Sequence, residues 1–140
     1  MNKQQPQMIF VNLPVTDLAK SKAFYEAVGF TQNNQFSDET SACMVLSEAI
    51  MVMLLTHPKW KQFTARPIPN AKETAQVLLC ISRDSKKAVD DLIDAGKKSG
   101  GKADPNKTQD HGFMYGRSVE DPDGHIWETM WMDLSAMPKA

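Results

Sequence analysis

Few residues in this chain combine a type that does chemistry with a setting that suggests it. They are Glu128 in "GHIWETMWM", Gln76 in "AQVLLCIS", Asn12 in "MIFVNLPV", Tyr115 and Arg117 in "DHGFMYGRS", the histidines His57, His111 and His125, and the cysteines Cys43 and Cys80. A carboxylate set among large apolar side chains, as Glu128 is, has three uses: ligating a metal, closing a salt bridge, or abstracting a proton with a pKa raised by dry surroundings. A Tyr or His at a cavity mouth could donate to a ligand oxyanion. Neither Ser nor Cys comes with a His-Asp constellation, so nucleophilic catalysis has no support. Phosphate-loop and dinucleotide signatures are missing as well.

Two runs of elements position these residues. "MIFVNLPV" alternates as a strand, with Ile9, Val11, Leu13 and Val15 on one face and Phe10 and Asn12 on the other. "TDLAKSKAFYEAVGF" then reads as a helix, with Thr16 or Asp17 as N-cap, Leu18, Ser21, Tyr25 and Val28 at helical spacing, and Gly29 at the C-terminal cap. Strand patterns follow at Phe30 to Phe36, Ala42 to Ser47 and Ile50 to Thr56. The order repeats after a proline-rich connection: "AQVLLCIS" as strand, a helix capped by Asp84 or Ser85 with Ala88, Leu92 and Ala95 on one face, and strands near Lys102 to Ala103, Phe113 to Val119 and His125 to Met132. The chain is therefore expected to be α+β, with two βαβββ modules at about 8–57 and 75–133, joined by a loop over 58–74 with a helical turn at Lys59 to Phe63. Each module's helix covers one sheet face, so the two modules are expected to form a curved, cupped, mostly antiparallel sheet with helices outside and a hollow inside.

Composition narrows the partners. The 140 residues are 41% hydrophobic and 24% charged, which suits one domain of ordinary composition. Lys plus Arg number 16 against 17 Asp plus Glu, so no field of one sign favours nucleic acid or an anionic membrane. No run reaches the roughly 18 apolar residues of a membrane span, and both cysteines lie in apolar runs as expected of buried thiols. A reducing cytoplasm is the expected setting.

"LPVTDLAKSKAFYEAVGF" in the first module and "GRSVEDPDGHIWE" closing the second, in that order and separation, resemble the glyoxalase, bleomycin-resistance and extradiol-dioxygenase group, the vicinal oxygen chelate superfamily. The resemblance covers about Met8 to Asp133. It implies the cupped sheet, a divalent metal in enzymatic members, and frequent homodimers. The family's ligand positions fall here on Phe10, Gln76, Glu128 and, in the first module, near Leu54. Phe10 and Leu54 cannot coordinate. Gln76 and Glu128 alone are too few for a stable site, since zinc takes three or four protein ligands and magnesium an oxygen shell. A site rebuilt from His57, His111 or His125 meets the wrong strand parity at His57 and His125.

Pro122 and Gly124 suit a three-residue hairpin loop with a bulge, which places Ser118 opposite Glu128; a two-residue loop would instead put Arg117 there. Strand parity assigns Phe10, Asn12, Val52, Leu54, Gln76, Leu78, Cys80, Ile126, Glu128 and Met130 to the hollow, with Tyr115 at its mouth and Trp60, Phe63 and Trp131 as cover or as a dimer contact. The expected function is small-molecule binding in the cup with no cofactor, or at most a weakly bound divalent metal on Gln76 and Glu128. Ligand contacts would come from Phe10, Asn12, Leu54, Gln76, Tyr115 and Met130. The alternatives are a lyase, isomerase or dioxygenase-type enzyme with Glu128 as base or metal ligand, and a structural or partner-binding domain whose cup is filled by its own methionines.

Overall fold

A computed structural model describes residues 6–136. The chain divides into two compact units, one ending at Ile68 and the other beginning at Pro69, inside the proline-rich connection.

In the first unit β1 (Ile9–Val15), α1 (Leu18–Ala27), β2 (Thr31–Asn33), β3 (Ser41–Val45) and β4 (Ile50–Thr56) appear in the βαβββ order, followed by a single helical turn, α2 (His57–Trp60). Asp17 starts α1 by accepting the Lys20 amide at 3.1 Å, which satisfies one of the donors a helix leaves open at its N-terminus. The helix buries Ser21, Phe24 and Tyr25, and Tyr25 packs edge-to-face against both Phe24 and Phe30 at 5.1 and 5.3 Å. The strand expected at Phe30 to Phe36 is shorter than its sequence pattern, because Asn33 turns the chain into a 3-10 turn at Asn34–Phe36 by accepting from Gln35. The sheet order is β1-β4-β3-β2, with β1 and β4 parallel and the other pairs antiparallel.

Register corrects one expectation. Phe10 lies beside Met51 and Asn12 beside Met53, so Met51, Met53 and Leu55 share their face. Val52 and Leu54 lie on the other face, in line with Leu13, Val15, Ala42 and Met44, which is the deeply buried side to which α1 packs. Leu54 is therefore a core residue of the helix-covered face. The residue that shares Phe10's side near the end of β4 is Leu55.

The second unit repeats the frame with β5 (Leu79–Ser82), α3 (Lys86–Lys98), β6 (Lys102–Ala103), a two-residue β7 (Gln109–Asp110), β8 (Met114–Glu120) and β9 (Ile126–Met132). Ser85 caps α3 through its hydroxyl, which accepts the Ala88 amide at 3.0 Å. The buried stripe of α3 is Val89, Leu92, Ile93 and Gly96, so the expected Ala88 and Ala95 lie at its margin. Burial of Val89, Leu92 and Ile93 is worth roughly 1.5–3 kcal/mol each. The order is β5-β9-β8-β6, with β7 also paired to β8 and the β5–β9 pair parallel. The strand expected from Ala75 begins only at Leu79, leaving Val77 and Leu78 exposed before it.

The fold class is thus α+β as expected, carried on two mixed sheets of four and five strands rather than one continuous sheet. Among the described residues the longest helix has 13 residues, and none is long and apolar enough to cross a membrane.

Candidate functional site

The position of Glu128 is set by a turn. Asp121 is buried, and its carboxylate accepts the amides of Asp123 and His125 at 2.9 Å each, drawing the chain around Pro122. Gly124 completes the reversal at φ +100, where a β-carbon would also come within 2.7 Å of Lys72. The three-residue loop that results pairs Glu120 with Ile126 and Ser118 with Glu128, which is the bulged register read from the sequence.

Gly116, Ser118, Glu128 and Met130 consequently share one face of β8 and β9, and β5 adds Cys80 beside Glu128. They border a hollow of about 410 Å³ whose apolar wall includes Leu78, Met114 and Met130. Glu128 is half-buried, and its Oε1 accepts from the Asn106 side-chain amide at 3.2 Å; Oε2 makes no hydrogen bond within the described residues. Asn106 is held in turn by Ser118, whose hydroxyl accepts the Asn106 amide at 3.0 Å. Lys107 and Gln109 continue this wall. Gly116 lines the hollow without a side chain, and a β-carbon there would stand 3.3 Å from the Thr129 carbonyl oxygen and 3.8 Å from the Met130 β-carbon.

The opposite face of the same strands carries a charged cluster. Tyr115 donates to Asp90 of α3 at 2.8 Å, and Arg117 reaches Asp90 at 2.9 Å and grips Asp104 with a two-pronged fork at 3.0 and 2.8 Å. These bonds hold both carboxyls below their ordinary range, Asp90 through Arg117 and then Tyr115, Asp104 through Arg117. The bond to Asp90 keeps the Tyr115 phenol protonated to higher pH than usual.

Several sequence expectations change here. Tyr115 lies on the helix side of β8, not at the mouth of the Glu128 hollow, because it alternates with Gly116. Trp131 sits opposite Tyr115 on that same helix side, with Lys86 above its ring at 5.6 Å, so it does not cover the hollow. Gln76 is exposed and does not line the hollow. Cys43 is buried as expected, but Cys80 is exposed on an edge strand; local desolvation and then the Glu128 charge push its thiol pKa up. Phe10 and Asn12 are exposed on β1 of the first unit. Met130 and Glu128 stand where parity placed them. Asn106 was not anticipated, since "DPNKT" has only the residues of a turn and no period that would connect it to a strand partner 22 positions away.

Among the described residues no three His, Cys, Asp or Glu side chains gather in a way that could hold a metal. Gln76 is not among the residues lining the hollow, and Glu128 Oε1 accepts its hydrogen bond from the Asn106 side-chain amide.

Similar frames occur in solved structures. A hypothetical protein from S. aureus superposes with a TM-score of 0.75 at 23% identity, covering 91% of this chain and 95% of that one. A glyoxalase/bleomycin resistance protein/dioxygenase family enzyme from Burkholderia phytofirmans PsJN gives 0.73 at 18% identity, covering 91% and 100%. The fold is that of the glyoxalase/bleomycin-resistance group. A genomically encoded fosfomycin resistance protein, FosX, from Listeria monocytogenes has the same fold at a TM-score of 0.64 and 16% identity, covering 96% and 94%. By sequence, the family described as bleomycin resistance protein-like N-terminal matches residues 7–47 of this chain. No curated protein matches it. These findings agree with the fold that the two sequence motifs suggested.

Proposed function

We propose that this glyoxalase-fold chain binds a small molecule in the hollow of its second unit, without a metal held by Gln76 and Glu128. The observation that supports this reading most is Glu128 itself: a half-buried carboxylate, fixed through one oxygen by Asn106, beside an apolar wall of Leu78, Met114 and Met130. A few convergent polar groups in a concavity of about 410 Å³ are what a small-ligand site requires. The carboxylate would orient a hydrogen-bond donor on the ligand while the methionines adapt to its apolar part. A fluorescent probe, N-phenyl-1-naphthylamine, is expected to bind saturably. Gly116→Val and Met130→Trp, which fill the hollow, should weaken that binding at least roughly tenfold. Equal binding by wild type and both variants would defeat the proposal. Titration of manganese or zinc into wild type and Glu128→Gln tests the metal-free part, and stoichiometric binding lost in the variant would overturn it.

A second reading has one observation in its favour, the unengaged Oε2 of Glu128, which is free to take a proton from a bound carbonyl or hydroxy compound. Solvent-deuterium exchange into candidate ligands, abolished in Glu128→Gln, would establish it. Homodimerisation, common for this fold, is part of the proposal and is tested by light scattering; the exposed Ile9 and Phe10 of edge strand β1, with Met8 just before it, favour association.

A further inference from the structure

The geometry points to Arg117 and Asp104 as positioning residues for the hollow: from the opposite face of the sheet, they hold the loop that presents Asn106 to Glu128. This assignment rests on the hollow being the binding site, but the loop's attachment can be measured without any ligand.

The chain after β6 is gripped on both sides of β8. On the helix side Arg117 Nε and Nη2 close a fork on the two oxygens of Asp104. Ser118, the next residue, points the other way, and its hydroxyl accepts the Asn106 amide. Between them the Asp104 amide bonds the Ser118 carbonyl at 2.8 Å. Loop 104–106 thus straddles the strand, with a charged anchor at one end and the Glu128 partner at the other.

Asp104 adds a conformational argument. Among the described residues it is the single non-glycine with positive φ, at +54. That left-handed turn swings the chain from the edge of the sheet toward Glu128, and it is unfavourable for most side chains. The fork offsets the cost, since a charge-assisted two-point contact is stronger and more directional than a neutral hydrogen bond. Arg117 is the enclosed partner, its side chain 18% exposed, while Asp104 is exposed at 36%, so the two-point geometry of the fork rather than burial gives the grip its direction. Asp90 contacts the same guanidinium but lies on α3, and its bond does not lead to the loop.

That difference supplies the test. Asp104→Asn keeps the shape and the tolerance for positive φ while removing the charge, and Asp90→Asn removes the other carboxylate from the same arginine. Hydrogen exchange, followed by NMR on the intact chain, should show the Asp104 and Asn106 amides exchanging roughly five- to tenfold faster in Asp104→Asn and unchanged in Asp90→Asn. N-phenyl-1-naphthylamine affinity, measured well below the melting temperature, should fall in Asp104→Asn alone. Arg117→Lys, which retains the charge without the fork, should behave like Asp104→Asn. Equal acceleration in the two Asn variants would mean that Arg117 serves only general stability and would overturn the assignment. Faster exchange with unchanged probe affinity would overturn the link between loop and site. Absence of probe binding in the wild type, with exchange as expected, would instead remove the binding reading and leave the loop anchor standing.

Discussion

The two units share a frame and differ in what it holds. Each runs parallel strands at one end of its sheet and places a serine of the antiparallel strand opposite the same point: Ser41 faces Leu55 in the first unit and Ser118 faces Glu128 in the second. Both serines are buried. In the first unit Ser41 bonds to Asp38 and its neighbour across the strand is apolar. In the second, Ser118 organises Asn106, and Asn106 engages a carboxylate. The βαβββ frame is thus maintained by the helix-side core, while the other face is free to carry polar groups wherever a loop supplies their partners.

Moving the charge between units should break this comparison most sharply. Leu55 is 3% exposed with no counterpart of Asn106, so Leu55→Glu should cost about 3–5 kcal/mol in urea denaturation. Glu128→Leu should stay within about 1 kcal/mol of wild type, because exchanging a buried polar group for a well-packed apolar one is often neutral. A large loss in Glu128→Leu would show that the carboxylate serves the fold.

A pair of turn glycines gives the next largest contrast. Gly29 and Gly124 both have positive φ, at +110 and +100, but a β-carbon at Gly29 meets nothing within 4 Å, whereas at Gly124 it meets Lys72 and Ala71 backbone below 3 Å. Gly124→Ala is expected to cost roughly 3 kcal/mol and Gly29→Ala about 1–2 kcal/mol, read from thermal midpoints. Similar losses would mean that segment 71–72 yields easily.

Acid should act on the units through different carboxylates. Asp90 and Asp104 titrate below their ordinary 3.8 because of Arg117, and Asp38 does so because of Thr40. A depressed folded-state pKa contributes stability that is present above about pH 4 and lost as pH falls through the folded value. Arg117→Met should therefore flatten the decline of the urea midpoint below pH 4 without abolishing it, since the Asp38 share persists. An unchanged slope would mean that the Arg117 cluster contributes no pH-dependent stability.

Much of this architecture was legible because its signals are local. Asp17, Ser85 and the Asp-Pro-Asp-Gly turn each act within four residues, and together they fix two helix starts and the pairing of Ser118 with Glu128. The parallel pair of β1 and β4 has no connecting turn to set its register, so sequence alone puts Leu54 on Phe10's side where the next residue, Leu55, belongs. The same one-residue alternation separates Tyr115 from the hollow. Asn106 was beyond reach for another reason: its partner lies 22 positions later, and only tertiary structure brings a turn residue to that carboxylate.

The exposure of Cys80 has a practical side. It neighbours Glu128 in the sheet, while Cys43 is enclosed in the core, so a maleimide fluorophore or nitroxide should attach at one place only. Because the Cys80 thiol ionises late, the coupling needs mildly alkaline buffer. The native chain thus carries its own reporter beside the hollow, and no engineered cysteine is required to watch a ligand arrive.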